Sequence, residues 1–416
     1  MQQIQLPSKR PTSPHPVLNL GFRVFFLSAA VFAMLTMAAW AYLLSKNSMS
    51  FGAHQLLPTF WHGHELVFGY SLAVIAGFLL TAVKTWTNQP MPFGWRLLAI
   101  WLCWALARVV YLFNGLAING WLRVACAADI AFWLSVTVAV VKPIWVTKQK
   151  RQIGIVAKLL LLLLAQVWFY IAVFHEVWQG VQLSLWAALY VIIGIVLTMA
   201  RRVMPMFIQN GIAAGGKVVL KAKNSDVLDK ISLIGLFGFM LSDVLLAGVW
   251  NLTWANWLVG AFAAIIAIAN VLRLKNWYLP GLWQRPMVWS LWISLLGMVI
   301  GFALFAVLPL GLVGHSLAMH TVALAGIGML PLTMMARVSL GHTGRSVHQP
   351  LNGISLVFGA MVAAWAFRAI LPLALPNDAY LISVGIAQGL WVLAFIGFIK
   401  LYAKILWSPR TDGLFG

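Results

Sequence analysis

Charge is scarce in this chain. Only 9% of its 416 residues are charged and 62% are hydrophobic, with a mean hydropathy of +0.92. No soluble domain has that balance, which leaves a lipid bilayer as solvent and partner. Cysteine is scarcer still. Cys103 and Cys126 are the only two, each inside an apolar run. They are too far apart for a CxxC site and read as buried structural thiols. No CxxC, HExxH or CxxCH pattern occurs, so spacing alone names no metal. Acidic residues number 8 against 28 Lys and Arg, a formal charge of +20. The basic residues fall mainly in short connections between apolar runs, where they report topology, so no nucleic acid partner is implied. No connection is long enough for a separate soluble domain. The first apolar run is too long for a removable signal peptide, and has no clear small-residue cleavage site.

What is present is a series of apolar runs. At roughly 20 residues per membrane helix, they predict about twelve spans: 20–44, 62–83, 94–113, 119–141, 155–173, 181–200, 231–250, 254–274, 287–308, 312–340, 351–371 and 379–406. The fold class is an all-α, polytopic membrane helix bundle. It has a tail at 1–19, one transmembrane domain over 20–406 and a second tail at 407–416. Basic residues concentrate in alternate connections, from Lys9 and Arg10 through Lys84, Lys142, Lys150, Arg201, Arg273 and Arg345 to Arg410. By the positive-inside rule both termini are then cytoplasmic. The longest connection follows Arg201, carries Gly211, Gly215 and Gly216, and reads as a flexible surface loop. A weak echo links three spans. Gly77 and Thr81 precede Lys84, Gly194 and Thr198 precede Arg201, and Thr333 precedes Arg337. Small residues and a basic inner end explain it without a repeat.

The costly residues in such a bundle are the ionisable ones. Trp61-His62-Gly63-His64-Glu65 stands at the mouth of the second span. By the alternation His54, His62, His64, His175, His315 and His320 lie on the outer side, and His342 and His348 on the inner side. His320 is roughly 12 Å inside the start of span ten, at 1.5 Å per residue. Spans two and ten can therefore share ligands in the outer leaflet. His62 and Glu65 are three apart and share a helical face, while His64 points away. His315 and Met319 share a face, and His320 points elsewhere. Divergent histidines on two helices can hold two neighbouring centres. Neutral imidazole suits iron, copper and zinc, and facing helices can give haem its two axial ligands. A lone intramembrane histidine is commonly a helix–helix hydrogen bond, the reading favoured for His175. His62, His64 and His320 at one depth beside Glu65 exceed what packing requires. Asp129 and Asp243 fall within spans four and seven, and Arg108 and Arg368 near the outer ends of spans three and eleven. The arginines can snorkel, pair with the aspartates or meet anionic groups such as haem propionates, pairing with Asp243 being the cheapest. Asp129 suits a proton path or a hydrogen-bonded structural role.

Three stretches carry a resemblance. They are Trp61-His-Gly-His-Glu-Leu-Val-Phe-Gly69 with Ala76-Gly-Phe-Leu-Leu-Thr-Ala82; Arg202-Val-Met-Pro205 with Phe207 and Asn210; and His320 with Met335-Ala-Arg-Val-Ser-Leu-Gly-His-Thr-Gly-Arg345. Together they resemble the signature of the NnrS family, over essentially the whole chain. Lys84 departs from it, where members often have a proline-containing connection. The resemblance implies a bacterial inner-membrane protein that binds haem, expected to be b-type, and copper or another non-haem metal. It associates the chain with nitric oxide, denitrification and nitrosative stress. On it His62, His64, His320 and His342, with Arg337 and Arg345, are the matching cofactor-binding residues. The metal-binding set is His62, His64 and His320, with His315 and His54 as further candidates.

The reaction this suggests is reductive coupling of nitric oxide to nitrous oxide at a haem and second-metal site, with Glu65 as proton donor and an unidentified electron donor. Nitric oxide is small, neutral and lipid-soluble, so an outer-leaflet site needs no polar channel. Two other readings fit the same features. One is a nitric oxide sink or sensor without turnover. The other is a twelve-span transporter, which should show two related six-span halves; no convincing half-to-half similarity is visible.

Overall fold

The computed structural model describes residues 15–46, 56–114, 120–213, 216, 221–374 and 379–416. Among them the chain is helical with no strand. Every predicted apolar run is a helix: α1 Gly21–Ser45, α2 Pro58–Thr87, α3 Trp95–Asn114, α4 Trp121–Val146, α5 Lys150–Phe174, α6 Trp178–Ala213, α7 Asp226–Val249, α8 Ala255–Trp277, α9 Pro286–Leu310, α10 His315–His342, α11 Ile354–Leu373 and α12 Tyr380–Trp407. Eleven are long and apolar enough to cross a membrane, and α3, with 20 residues, completes the set. The protein is a multi-pass membrane protein. In hydrocarbon every backbone N–H and C=O must be satisfied within the segment, which is why the apolar runs take this form.

The ends follow local chemistry. Pro58 and Pro286 open α2 and α9 in the first turn, where a missing N–H costs nothing. Asn88, with φ of 53°, ends α2 in the left-handed region. Arg23, fully buried in α1, donates through Nη1 to the carbonyls of Ile405, Leu406 and Ser408 at 3.2, 2.9 and 2.7 Å. It caps the carbonyl end of α12 with a positive charge, the sign the helix dipole favours there. The surface loop expected after Arg201 is instead helix as far as Ala213. Arg202 holds that extension by donating to Gln152 Oε1 at 2.6 Å and to the Arg151 carbonyl at 2.9 Å. Residues 214–215 and 217–220 lie outside the described set.

The helices pack into three arcs of four: α11, α12, α1 and α2, where the last helix meets the first; α3 to α6; and α7 to α10. The last helix of each arc is the most enclosed. In α2, α6 and α10, 83, 89 and 67% of the apolar stretch is buried, against 39–50% in the other eight scored spans. These three helices carry the echoed residues. Thr81 Oγ1 donates to the Gly77 carbonyl at 2.8 Å, Thr198 to Gly194 at 2.6 Å and Thr333 to Met329 at 3.1 Å. A hydroxyl in a dry bundle takes the carbonyl one turn back, its nearest acceptor.

Four turns widen to π geometry: Glu65–Ser71 in α2, Leu241–Val249 in α7, Leu324–Met329 in α10 and Ala366–Ile370 in α11. Such turns recur at functional sites because they re-aim side chains. Here they begin at or near Glu65, Asp243, His320 and Arg368.

Candidate functional site

Each arc encloses a space against the central helices, and polar side chains gather at the same end of all three. Two of the spaces are filled and one is open.

The space between α2 and the α3–α6 arc is filled by ionisable groups. Arg108 of α3 donates to Glu65 Oε2 at 2.7 Å and, through Nη2, to Asp129 of α4. His64 Nδ1 lies 2.9 Å from Glu65 Oε1. Tyr170 of α5 donates to Asp129 Oδ2 at 2.6 Å, and Tyr111 donates to the Tyr170 hydroxyl at 3.2 Å. Both hydroxyls lie 3.3 Å from His64 Nε2. Every member is buried. Charges in such a place persist only when paired and hydrogen-bonded, and here the two carboxylates share one guanidinium fork. The arrangement depends on Gly69. A Cβ there would lie 2.7 Å from Phe32 Cε1 and 2.8 Å from Arg108 Nη1. The bare backbone lets the guanidinium through, and Trp104 Nε1 donates to its carbonyl at 2.9 Å.

The second filled space lies between α6 and the α7–α10 arc. Tyr190 donates to Asp243 Oδ2 at 2.6 Å, and His315 Nε2 lies 3.1 and 3.0 Å from the two Asp243 oxygens. The His315 ring stacks on Trp186, centroids 4.0 Å apart, and meets the edge of Phe305. The pairing of Asp243 with an arginine, expected from cost, is therefore replaced. His315 and Tyr190 serve Asp243, and Arg108 serves Glu65 and Asp129.

The third space, inside α11, α12, α1 and α2, stays open. It is a cavity of about 700 Å³, closed by α6 and α10, and mostly apolar in its lining. His62, His315, His320, Arg368 and Gln388 line it. The His62 ring lies flat on Trp40, centroids 4.7 Å apart and planes at 13°, and its Nδ1 is buried without a partner. His320 Nδ1 lies 2.7 Å from the Ser316 carbonyl. A carbonyl only accepts, so Nδ1 carries the proton and Nε2 keeps its lone pair. His315 is oriented by Asp243 in the same sense, through the other nitrogen. A histidine donating through one nitrogen and presenting the other is the usual posture of a ligand to a metal. The histidines are spread around the cavity: among the described residues no three His, Cys, Asp or Glu side chains converge on one point.

The sequence-derived residues therefore separate. His62, His315 and His320 share the cavity. His64 and Glu65 do not line it, and belong to the filled network. Glu65 was expected on the His62 face. Its carboxylate instead meets His64 and Arg108. His342, Arg337 and Arg345 lie at the opposite end. The His342 ring packs on Phe22, its carbonyl accepts from Arg410 Nη1 at 2.9 Å, and Arg337 lies over Phe207, 4.1 Å from the ring centre. His175 ends α5, exposed. His54 falls outside the described residues. Tyr111, Tyr170, Tyr190, Trp40, Trp186 and Gln388 were not singled out from the sequence. Inside apolar runs, such residues are indistinguishable from wall.

The family model described as NnrS protein matches residues 16–410 of the chain. No curated protein sequence matches it significantly.

Proposed function

Since the chain belongs to the NnrS family, we propose that its cavity holds a haem, of b-type, and a second metal ion, copper or another non-haem metal, and that it handles nitric oxide there. Membership associates the chain with nitric oxide. The observation that carries the reading is the trio His62, His315 and His320. All three line the same apolar cavity, and each has a ring nitrogen without a hydrogen-bond partner among the described residues. A cavity of about 700 Å³ also lies within the range of cofactor sites, roughly 300–1,000 Å³.

His62 and His320 are the proposed ligands, with His315 beside them. Trp40 fixes the plane of the His62 ring, and the Ser316 carbonyl fixes the tautomer of His320. A bound haem iron would supply a centre for nitric oxide and electrons, and a second metal a Lewis acid. The apolar wall favours a small neutral gas and excludes water. Coupling two nitric oxide molecules to nitrous oxide and water consumes two electrons and two protons. Asp243 reaches the cavity wall through His315. In this reading His315 holds a proton at the cavity wall, Asp243 sets its orientation, and Tyr190 holds Asp243. Glu65 acts at a distance, fixing His64 and Arg108 behind the wall. The basic connections support placing the cavity end outside the cytoplasm of the bacterial inner membrane, with both termini inside.

One observation favours the binding-only alternative. Both oxygens of Glu65 are engaged by Arg108 and His64, away from the cavity. A sink or sensor needs no proton donor. The purified protein should show a haem spectrum that His62→Ala and His320→Ala abolish or shift. A cofactor-free wild type would end the haem reading. Nitrous oxide formed from nitric oxide by the reduced protein separates turnover from binding. None above a haem-free control would end the reductase reading.

A further inference from the structure

The two outer-end arginines, buried Arg108 and half-buried Arg368, have opposite surroundings. Arg108 is neutralised by Glu65 and Asp129. Arg368, on the π turn of α11, pairs with no carboxylate among the described residues. Its side chain hydrogen-bonds Tyr380, whose ring centre is 5.8 Å away, and its Nη1 is buried without a hydrogen-bond partner. It lines the cavity together with His62 and His320. Two further buried nitrogens on the same lining lack partners, His62 Nδ1 and Gln388 Nε2. Among the described residues no Asp or Glu lines the cavity.

A cation inside a membrane bundle is costly without a counter-charge, and a guanidinium is matched in shape by carboxylates and similar oxyanions. We propose that the Arg368 side of the cavity is an oxyanion subsite. It takes the acid group of a ligand, and that ligand supplies the counter-charge that no described carboxylate gives Arg368. The shared chemistry is a planar, singly charged oxyanion. Its source is either a carboxylate carried by a bound macrocycle or a free oxyanion of nitrite size. The subsite does not require the proposed chemistry, because it rests on Arg368 and the lining alone.

The test uses the full-length protein in lipid nanodiscs and chloride-free buffer, with two probes. In one arm the protein is reconstituted with haem b or with its dimethyl ester. In the other, sodium nitrite is titrated by calorimetry. If the source is a cofactor carboxylate, the wild type takes haem over the diester, and Arg368→Gln loses the preference. If the source is a free oxyanion, nitrite binds the wild type and binds Arg368→Gln about thirtyfold more weakly or worse, the loss typical of truncating one side of a buried charge pair. Arg368→Lys keeps the charge but not the planar fork, and should fall between wild type and Gln. It carries the test if the neutral variant does not accumulate. The subsite is overturned if the wild type binds no nitrite and takes haem and diester equally. It is also overturned if the variants match wild type in both arms. A wild type that takes up no haem but binds nitrite through Arg368 would refute the haem reading and leave the subsite standing.

Discussion

Arg108 reaches Glu65 at 2.7 Å across the bare backbone of Gly69, and the same guanidinium closes on Asp129. Three helices are thereby joined by one buried charge cluster behind the cavity wall. Removing one member leaves an uncompensated charge in a dry interior, so Arg108→Leu and Asp129→Leu should each cost about 3–5 kcal/mol. Thermal unfolding in detergent would check this. The double variant Arg108→Leu with Asp129→Leu should lose less than the sum, because the two partners then leave together.

Gly69→Ala tests the same cluster by shape. The added methyl group must displace Arg108 or Phe32, an overpacking cost of about 1–3 kcal/mol. Combining it with Arg108→Leu should remove part of that cost, measured as a smaller drop in the unfolding midpoint than the single effects predict.

His64 and His62 should behave oppositely although they are two residues apart. His62→Ala should lose or alter the bound cofactor with little change in stability, because its Nδ1 has no protein partner. His64→Ala should destabilise the fold and leave the cofactor spectrum of the surviving protein near normal, because its nitrogens serve Glu65, Tyr111 and Tyr170. Absorption spectra and unfolding curves on both variants decide this. A lost spectrum in a stable His64→Ala protein would put His64 in the ligand set.

The C-terminal tail gives a pH prediction. Arg410 donates to Asp412 at 2.8 and 2.5 Å and to the His342 carbonyl at 2.9 Å. The Arg410 hydrogen bonds hold the Asp412 carboxyl down to about 2, from 3.8. A depressed carboxylate contributes above its unfolded value and loses that contribution as pH falls through the folded one. Docking of the tail should be constant from neutral pH down to about 4 and loosen only towards about 2. The fluorescence of a dye attached at neutral pH to Leu414→Cys, over the background of the unchanged chain, follows it as the pH is lowered.

Sidedness is open to direct measurement. Reporters fused after Glu176 and after Gly416 should report opposite sides of the membrane, the second cytoplasmic. The reverse assignment would move the cavity to the inner face.

Composition and the spacing of apolar runs determined the helical class, the twelve helices and their approximate ends. Hydrocarbon imposes one solution on each run separately, and a run of about 20 apolar residues carries that information locally. The same local signals marked His62, His64 and His320, beside Glu65, as more than packing requires. Which of them meet was decided only by the tertiary structure. The Glu65 carboxylate meets His64, and Arg108 from a neighbouring helix, and not His62. Asp243 lies 72 positions from His315 and Arg108 lies 43 from Glu65, separations at which no helical period reaches. The choice between a filled arc and an open one rests on Tyr111, Tyr170 and Tyr190, whose hydroxyls complete two networks. In a string of aromatic and aliphatic residues, a tyrosine that holds a buried acid looks the same as one that faces lipid. Only packing three arcs against α2, α6 and α10 tells them apart.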